Sequence, residues 1–380
     1  MQALAPPSGD RNPNSHADAE VLAALQGRTG VRRFSFRYEL LDAGNVPVED
    51  LDRAVLSAKI SQNWLADIKR TAAFTIRETG RIDYLSDRIK PYVRTWLPPY
   101  GANDFVEHPQ GVFLLSSPVR KIDAQGVITR DVEAYDPLQV YADDKFSARY
   151  TVAAAANVVS AVTTLLGSVP MVVSPSTKTL ATAMEWKPGD SKLKAINELL
   201  GTINYESLSF DEEGRAVVQA YSSPLERAEE YEYGADDVGL VVPTVEQELD
   251  LFSVANKWVL VVSDPDLTDP IISTYTNTDP ASPTSTIRRQ RTIVDFREEQ
   301  DAVDQASLDA KVARLAFESS QIYEAIPFSS ALMPIHSGND VYRLRLPALA
   351  VNAKYAEQSW ELELKAGAKM SHRARRVVSV

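Results

Sequence analysis

The stretch from Trp186 to Tyr221 leaves this chain the least freedom in how it folds, because its punctuation specifies a helix followed directly by a hairpin. Pro188-Gly189 interrupts whatever precedes it. Asp190 or Ser191 offers a side-chain oxygen to the first free N–H groups of a helix, and Leu193, Ile196, Leu199 and Leu200 then recur on one face at helical spacing. Gly201 is placed to close that helix from the C′ position. Downstream, Ile203, Tyr205, Ser207 and Ser209 alternate with Asn204, Glu206, Leu208 and Phe210. Asp211-Glu212-Glu213-Gly214 turns the chain, and Ala216, Val218 and Ala220 bring it back. One short helix on a two-stranded ribbon is not stable alone, so the unit must pack on the rest of the protein.

On either side of this unit the period changes from helical to alternating. Residues 1–15 form an arm, followed by a short helix from about Ala17 to Leu25 with Val21, Leu22 and Leu25 on its apolar face. Gly27 and Gly30 release the chain into a strand where Phe34, Phe36, Tyr38 and Leu40 alternate with Arg33, Ser35, Arg37 and Glu39. Ala54 to Gln62 and Asp67 to Glu78 read as a long hairpin, with further strands expected at Arg88 to Trp96, Gly111 to Ile122 and Gly126 to Ala134. Strands this closely spaced favour a sandwich or a barrel.

Asp136-Pro137 then marks a junction and starts a short helix. A second helix, about Ala154 to Leu166, carries Val158, Val159, Val162, Leu165 and Leu166 on one stripe, and acid-rich Glu226 to Asp237 reads as a solvated connector. From Leu249 the pattern returns to β, with Trp258 to Val262 its strongest strand signal. Ser263 to Ser285, interrupted by Pro265, Pro270, Pro280 and Pro283, reads as irregular. An amphipathic helix from about Val303 to Ile322 presents Leu308, Val312, Leu315 and Ile322, and Val341 to Leu346 and Ser359 to Leu364 are strands by alternation. The tail beyond Leu364 carries Lys365, Lys369, Arg373, Arg375 and Arg376 and no acid, and reads as a solvated end or as a docking arm for an acidic neighbour. The chain is therefore α+β, mainly antiparallel β. Its expected divisions are an arm and helix (1–27), a first β-domain (28–135), an α/β middle domain (136–235), a second β-domain with an inserted loop and helix (236–370), and a basic tail (371–380).

Composition removes several chemistries. A chain of 380 residues exceeds one core, and its net charge of −12 argues against a phosphate-binding face, which needs concentrated positive charge. With no cysteine, disulfides and thiolate sites are excluded. The first fifteen residues lack the basic and apolar regions of a secretory signal, which gives the expectation that the chain is made and kept in a cytoplasm; Tyr150 to Thr177 is too polar to span a membrane and reads as a buried helix. Histidines occur only at 16, 108, 336 and 372: a helix start, a loop before Pro109, another loop and the basic tail. No two lie at metal-ligand spacing in sequence, and no HExxH, GxSxG or glycine-rich phosphate loop occurs. Asp264, Asp266 and Asp269 suggest a calcium loop, but Asp269 and Tyr275 stand where an EF-hand needs Gly and Glu. No catalytic residue, cofactor site or metal site is expected, although a carboxylate dyad among 52 acids cannot be read from sequence.

Several motifs resemble the tail hub proteins of long-tailed bacteriophages: Trp186-x-Pro-Gly-x-Ser-x-Leu-x-x-Ile-Asn-x-Leu-Leu200 with its acidic turn, Lys69-Arg-Thr-Ala-x-Phe-Thr75, Arg88-Ile-Lys-Pro-Tyr-Val-Arg94, the Val254-Ala255-Asn256 step into a strand, and Asp279-Pro-Ala-Ser-Pro-Thr-Ser285. The resemblance implies two tail-tube-like β-barrels around the helix-hairpin domain. It also implies a homotrimeric ring that adapts a sixfold tail to a threefold tip and passes DNA during ejection. Its implied partners are the distal tail protein ring, the tape measure protein and tail-tip or receptor-binding proteins. Two alternatives stand beside it: the hub of a contractile injection system and a wall-degrading tail enzyme. If DNA crosses the ring, acids are expected to face the lumen, with Asp211, Glu212 and Glu213 as candidates; the alternative is that the acidic charge serves solubility alone.

Overall fold

Alternation along the sequence produces one extended, mainly antiparallel sheet. The computed structural model describes residues 2, 16–97, 104–234, 241, 248–249, 252–262, 271–299, 304–320 and 324–377. Fifteen strands join in this sheet. Its main path runs Glu248–Leu249, Glu324–Ala331, Lys369–Arg376, Val351–Glu363, Val55–Asn63, Arg70–Arg77, Ile128–Tyr135, Phe113–Leu115, Arg88–Trp96, Phe34–Leu41, Pro47–Asp50. Every pairing on that path is antiparallel. Among the described residues the path does not close on itself. Strands expected in two separate barrels thus share a sheet, through a seam where Leu362 lies opposite Ile60 and Trp360 opposite Gln62. One core serves both halves, with Ile60, Phe74, Ile89 and Phe113 from one and Phe328, Tyr342, Leu344 and Leu362 from the other.

Several elements differ from the sequence expectation for identifiable reasons. The span from Gly111 to Ile122 breaks at Ser116 to Pro118 into Phe113–Leu115 and Val119–Ile122, since Pro118 has no N–H for a ladder. His108 lies in the strand Phe105–Pro109, not in a loop. The acid-rich connector contains the strand Tyr231–Gly234, parallel to Val341–Leu346. Two of its acids pair with that strand: Glu229 with Arg343 at 2.7 Å and Glu232 with Arg345 at 2.8 Å. The basic tail is no arm through Arg376, because Lys369–Arg376 is a strand between Glu324–Ala331 and Val351–Glu363. Met370, His372 and Ala374 point inward and Lys369, Ser371 and Arg373 outward.

The middle unit has its own core, in which Trp186, Ile196, Leu199 and Leu200 pack with Val158, Val162 and Leu166. Helix Val158–Leu166 is capped by Asn157, whose Oδ1 accepts from the Ser160 N–H, and helix Lys192–Thr202 by Ser191, which accepts from the Lys194 N–H. Gly201 does not end that helix. It continues through Thr202, whose hydroxyl donates to the Leu199 carbonyl at 2.7 Å, and Asn204 takes the left-handed conformation at φ 55°. The hairpin is Ser209–Phe210 with Ala216–Val218, and a third strand, Met171–Val173, runs parallel to the latter. The tract read as one buried helix from Tyr150 to Thr177 therefore holds two strands as well, Tyr150–Val152 and Met171–Val173. Gly214 sits at φ 82°, and a Cβ there would lie 2.7 Å from Val112 Cγ2. Gly214→Ala is expected to destabilise the protein by roughly 1–3 kcal/mol, from left-handed strain plus overpacking, as read from the urea midpoint.

A third unit places Lys257–Val262 between Ile271–Thr276 and Val294–Glu299 beneath helix Gln305–Ser320. Ile271–Thr276 is regular strand within the segment expected to be irregular. Asp264, Asp266 and Asp269 lie outside the described residues, as do most of the N-terminal arm and Ile322. Asn256 earns its place before the strand: its amide donates to the Thr284 and Arg291 carbonyls and accepts from the Ile293 N–H, tying the Ser-Pro loop to the sheet. Among the described residues no helix is long and apolar enough to cross a membrane.

Candidate functional site: a buried histidine and carboxylate cluster

Side chains that sequence spacing kept apart meet inside the second half of the sheet. His372 projects inward from Lys369–Arg376, opposite Phe328 and Trp360 on the flanking strands. Glu357 arrives from Val351–Glu363, where the register shifts between Glu357 and Ser359. That bulge changes the phase of the strand, so Tyr355 and Glu357 before it and Trp360 and Leu362 after it all point inward. His336 and Asp340 come from the loop leading into Val341–Leu346, while Tyr231 and Tyr233 come from the parallel strand beside it. All of these groups are buried.

The polar atoms form a connected network. His372 Nδ1 lies 2.8 Å from Glu357 Oε2 and its Nε2 lies 2.8 Å from Ser330 Oγ. In a neutral His372, Nδ1–H donates to the carboxylate and the Ser330 hydroxyl donates to Nε2. Burial holds this imidazole below its ordinary pKa, reinforced by His336 and opposed by Glu357. Tyr342 donates to the same Glu357 oxygen at 3.1 Å. His336 Nδ1 lies 2.7 Å from Tyr231 Oη and its Nε2 lies 2.5 Å from Tyr233 Oη, and Tyr231 donates to Asp340 at 3.0 Å. Burial next to these carboxylates pushes the phenols of Tyr231, Tyr233 and Tyr342 well above their usual range, so all three stay protonated. Glu357 Oε1 is buried with no hydrogen-bond partner.

A second polar cluster joins the middle unit to the sheet. Arg70 is buried, donating to Glu212 at 2.8 Å and to Gln62 at 2.6 Å. Lys90 pairs with Glu213, and Asp211 accepts from the N–H groups of its own turn and pairs with Arg215 at 2.7 Å. The three carboxylates picked as lumen candidates thus all have cationic partners in the same chain, and Glu212 lies inside the joint. Arg314 makes a second joint from helix Gln305–Ser320, reaching Glu206 at 3.1 Å and the Tyr205 carbonyl at 2.9 Å. Asp136 accepts from the backbone N–H groups of Leu138 and Arg70, both at 3.0 Å.

Burial raises Asp136 from 3.8 to about 6, against the pull of Arg70 and those N–H groups. Because the folded value lies above the unfolded one, its contribution is full below pH 3.8 and is lost as pH rises through about 6. Asp136→Asn is therefore expected to abolish a decline on the order of 2–3 kcal/mol across that window. Urea titrations of both proteins at several pH values between these limits check it.

With the geometry established, comparison places the whole chain among solved structures. A tail protein from Neisseria meningitidis MC58 superposes with a TM-score of 0.64 at 10% identity, over 90% of this chain and 97% of that one. The chain has the fold of a phage tail protein. The 43 kDa tail protein of prophage MuSo2 from Shewanella oneidensis shares this tail-protein fold at a TM-score of 0.59 and 10% identity, over 89% of this chain and 98% of that one. A chain of the Francisella PdpA-VgrG complex in its lidded form gives 0.54 at 8% identity, over 92% of this chain and 53% of that one. No family model matches the sequence, and no curated protein matches it.

Of the four histidines, this tail-protein fold brings His336 and His372 together and leaves His16 and His108 on separate elements. One signal for the meeting was present in sequence: Met370, His372 and Ala374 alternate with Lys369, Ser371 and Arg373, the pattern of a half-buried strand. Overall charge concealed it.

Proposed function

We propose that the chain is a structural subunit of the hub ring at the distal tip of a phage tail. Three copies form the ring, each contributing two tube-like β-regions, so that a threefold assembly meets a sixfold tail and leaves a channel for DNA. The observation that carries this reading is the likeness in fold to phage tail proteins over nine-tenths of the chain, both β-halves and the middle unit included. The seam between Leu362 and Ile60 supports it physically: a shared sheet holds the two halves in fixed relation, as a pseudo-sixfold ring of three chains requires. The strand Pro47–Asp50 at one end of the sheet exposes Val48, and a neighbouring subunit would cover that edge. In this role the chain performs no catalysis. It contacts the distal tail ring, the tape measure protein and tip or receptor-binding proteins.

The likeness to a chain of the PdpA-VgrG complex favours one second reading, the hub of a contractile injection system. Immunogold labelling of purified particles tests the location, with label expected at the tail tip only. Label along the tube or on the capsid contradicts the proposal, and label on particles without capsids selects the second reading. A zymogram on host walls is expected to show no clearing by the purified chain; clearing abolished by one carboxylate substitution would establish an enzyme instead.

A further inference from the structure

The geometry points to a divalent transition-metal site, suited to zinc, formed by His336, Glu357 and His372. Each offers a ligand atom, and these atoms lie within 4.8 Å of one another. His372 Nδ1 is 2.8 Å and His336 Nδ1 is 4.0 Å from the same oxygen, Glu357 Oε2. Zinc bonds of about 2.0–2.2 Å to nitrogen and oxygen need ligand atoms somewhat over 3 Å apart, so closure asks for side-chain shifts of roughly an ångström. The second carboxylate oxygen, Glu357 Oε1, is the buried atom with no partner. Bidentate binding would satisfy it and complete a set of two nitrogens and two oxygens.

The surroundings match what a histidine ligand needs on its far side. Both imidazoles turn Nδ1 toward Glu357 and Nε2 toward a hydroxyl, Ser330 for His372 and Tyr233 for His336. When Nδ1 coordinates, the ring proton moves to Nε2, where that hydroxyl oxygen accepts it. Each histidine thereby changes tautomer without losing a proton. Tyr231 gives up its contact with His336 Nδ1 and keeps its bond to Asp340. An ion here would link the loop holding His336 to two neighbouring strands, and its charge would offset the buried carboxylate of Glu357.

The test uses the full-length, tag-free chain incubated with zinc chloride, passed into metal-free buffer and measured for metal content. One zinc per chain is expected, with a melting temperature several degrees above that of the EDTA-treated protein. Cobalt(II) in place of zinc is expected to give the intense visible bands of tetrahedral nitrogen and oxygen ligation. Ser330→Ala, which leaves all three ligands in place, should weaken zinc binding roughly ten- to a hundredfold. His16→Ala is the control for the His16–Glu20 pair, which is outside the cluster, and should leave binding unchanged. Substoichiometric zinc in the folded wild-type chain overturns the proposal, whatever the variants do. So does zinc binding undiminished in His336→Gln or His372→Gln, or binding lost with His16.

Discussion

Arg70→Met is expected to destabilise the protein by about 3–5 kcal/mol, the range for removing one partner of a buried ion pair. The guanidinium is buried and bonds to Glu212 and Gln62, so the substitution strands the Glu212 carboxylate at the joint between sheet and middle unit. Met fills much of the volume, so the loss reports the charge and not a cavity. Glu212→Gln in the same chain should recover part of the loss, giving a favourable coupling in a double-mutant cycle. The urea midpoint supplies each number. Additive single effects would mean that the pair does not hold the joint.

Trp258→Ala is expected to remove about 3–5 kcal/mol, concentrated in the third unit. Trp258 is fully buried in a small core with Leu260, Val262, Leu308, Val312 and Ala316, which is separate from the main core. A cavity in so small a core should melt Lys257–Val262, its two partner strands and helix Gln305–Ser320 before the main sheet. Amide hydrogen exchange would show that protection loss in the unit, with Ile60 and Phe74 still protected. The indole N–H has no hydrogen-bond partner, so Trp258→Phe should cost much less. Equal losses in both variants, or loss of protection throughout the chain, would contradict a separately cooperative unit.

Legibility in the sequence followed period and punctuation. Trp258 to Val262 and the stripe of Val158, Val162 and Leu166 read correctly because one face is buried over a whole element, which periodicity encodes, and Phe34 to Leu40 because Tyr38 and Leu40 are buried and Phe34 and Phe36 pack half-buried on the same core. Gly201 misled because the helix buries Thr202 and gives the left-handed position to Asn204, a choice made by packing. The strand Lys369–Arg376 was hidden because its outward basic residues dominate the composition while its inward face includes a histidine. Of the His336, Glu357 and His372 cluster, only the alternation around His372 was legible. Its members lie on a loop, at a bulge and on a neighbouring strand, and no local pattern encodes a register shift or a strand pairing. The partners of the acidic turn were hidden for a related reason, since Glu212 and Glu213 find Arg70 and Lys90 only through tertiary contact.

The central claim is a ring of three subunits at the tail tip, and a cryo-electron reconstruction of the particle's distal end tests it most directly. The expected result is three copies of this chain at hub level, with both β-regions of each copy in a pseudo-sixfold layer around an open channel. One copy or six at that level, or this fold found elsewhere in the particle, would contradict it.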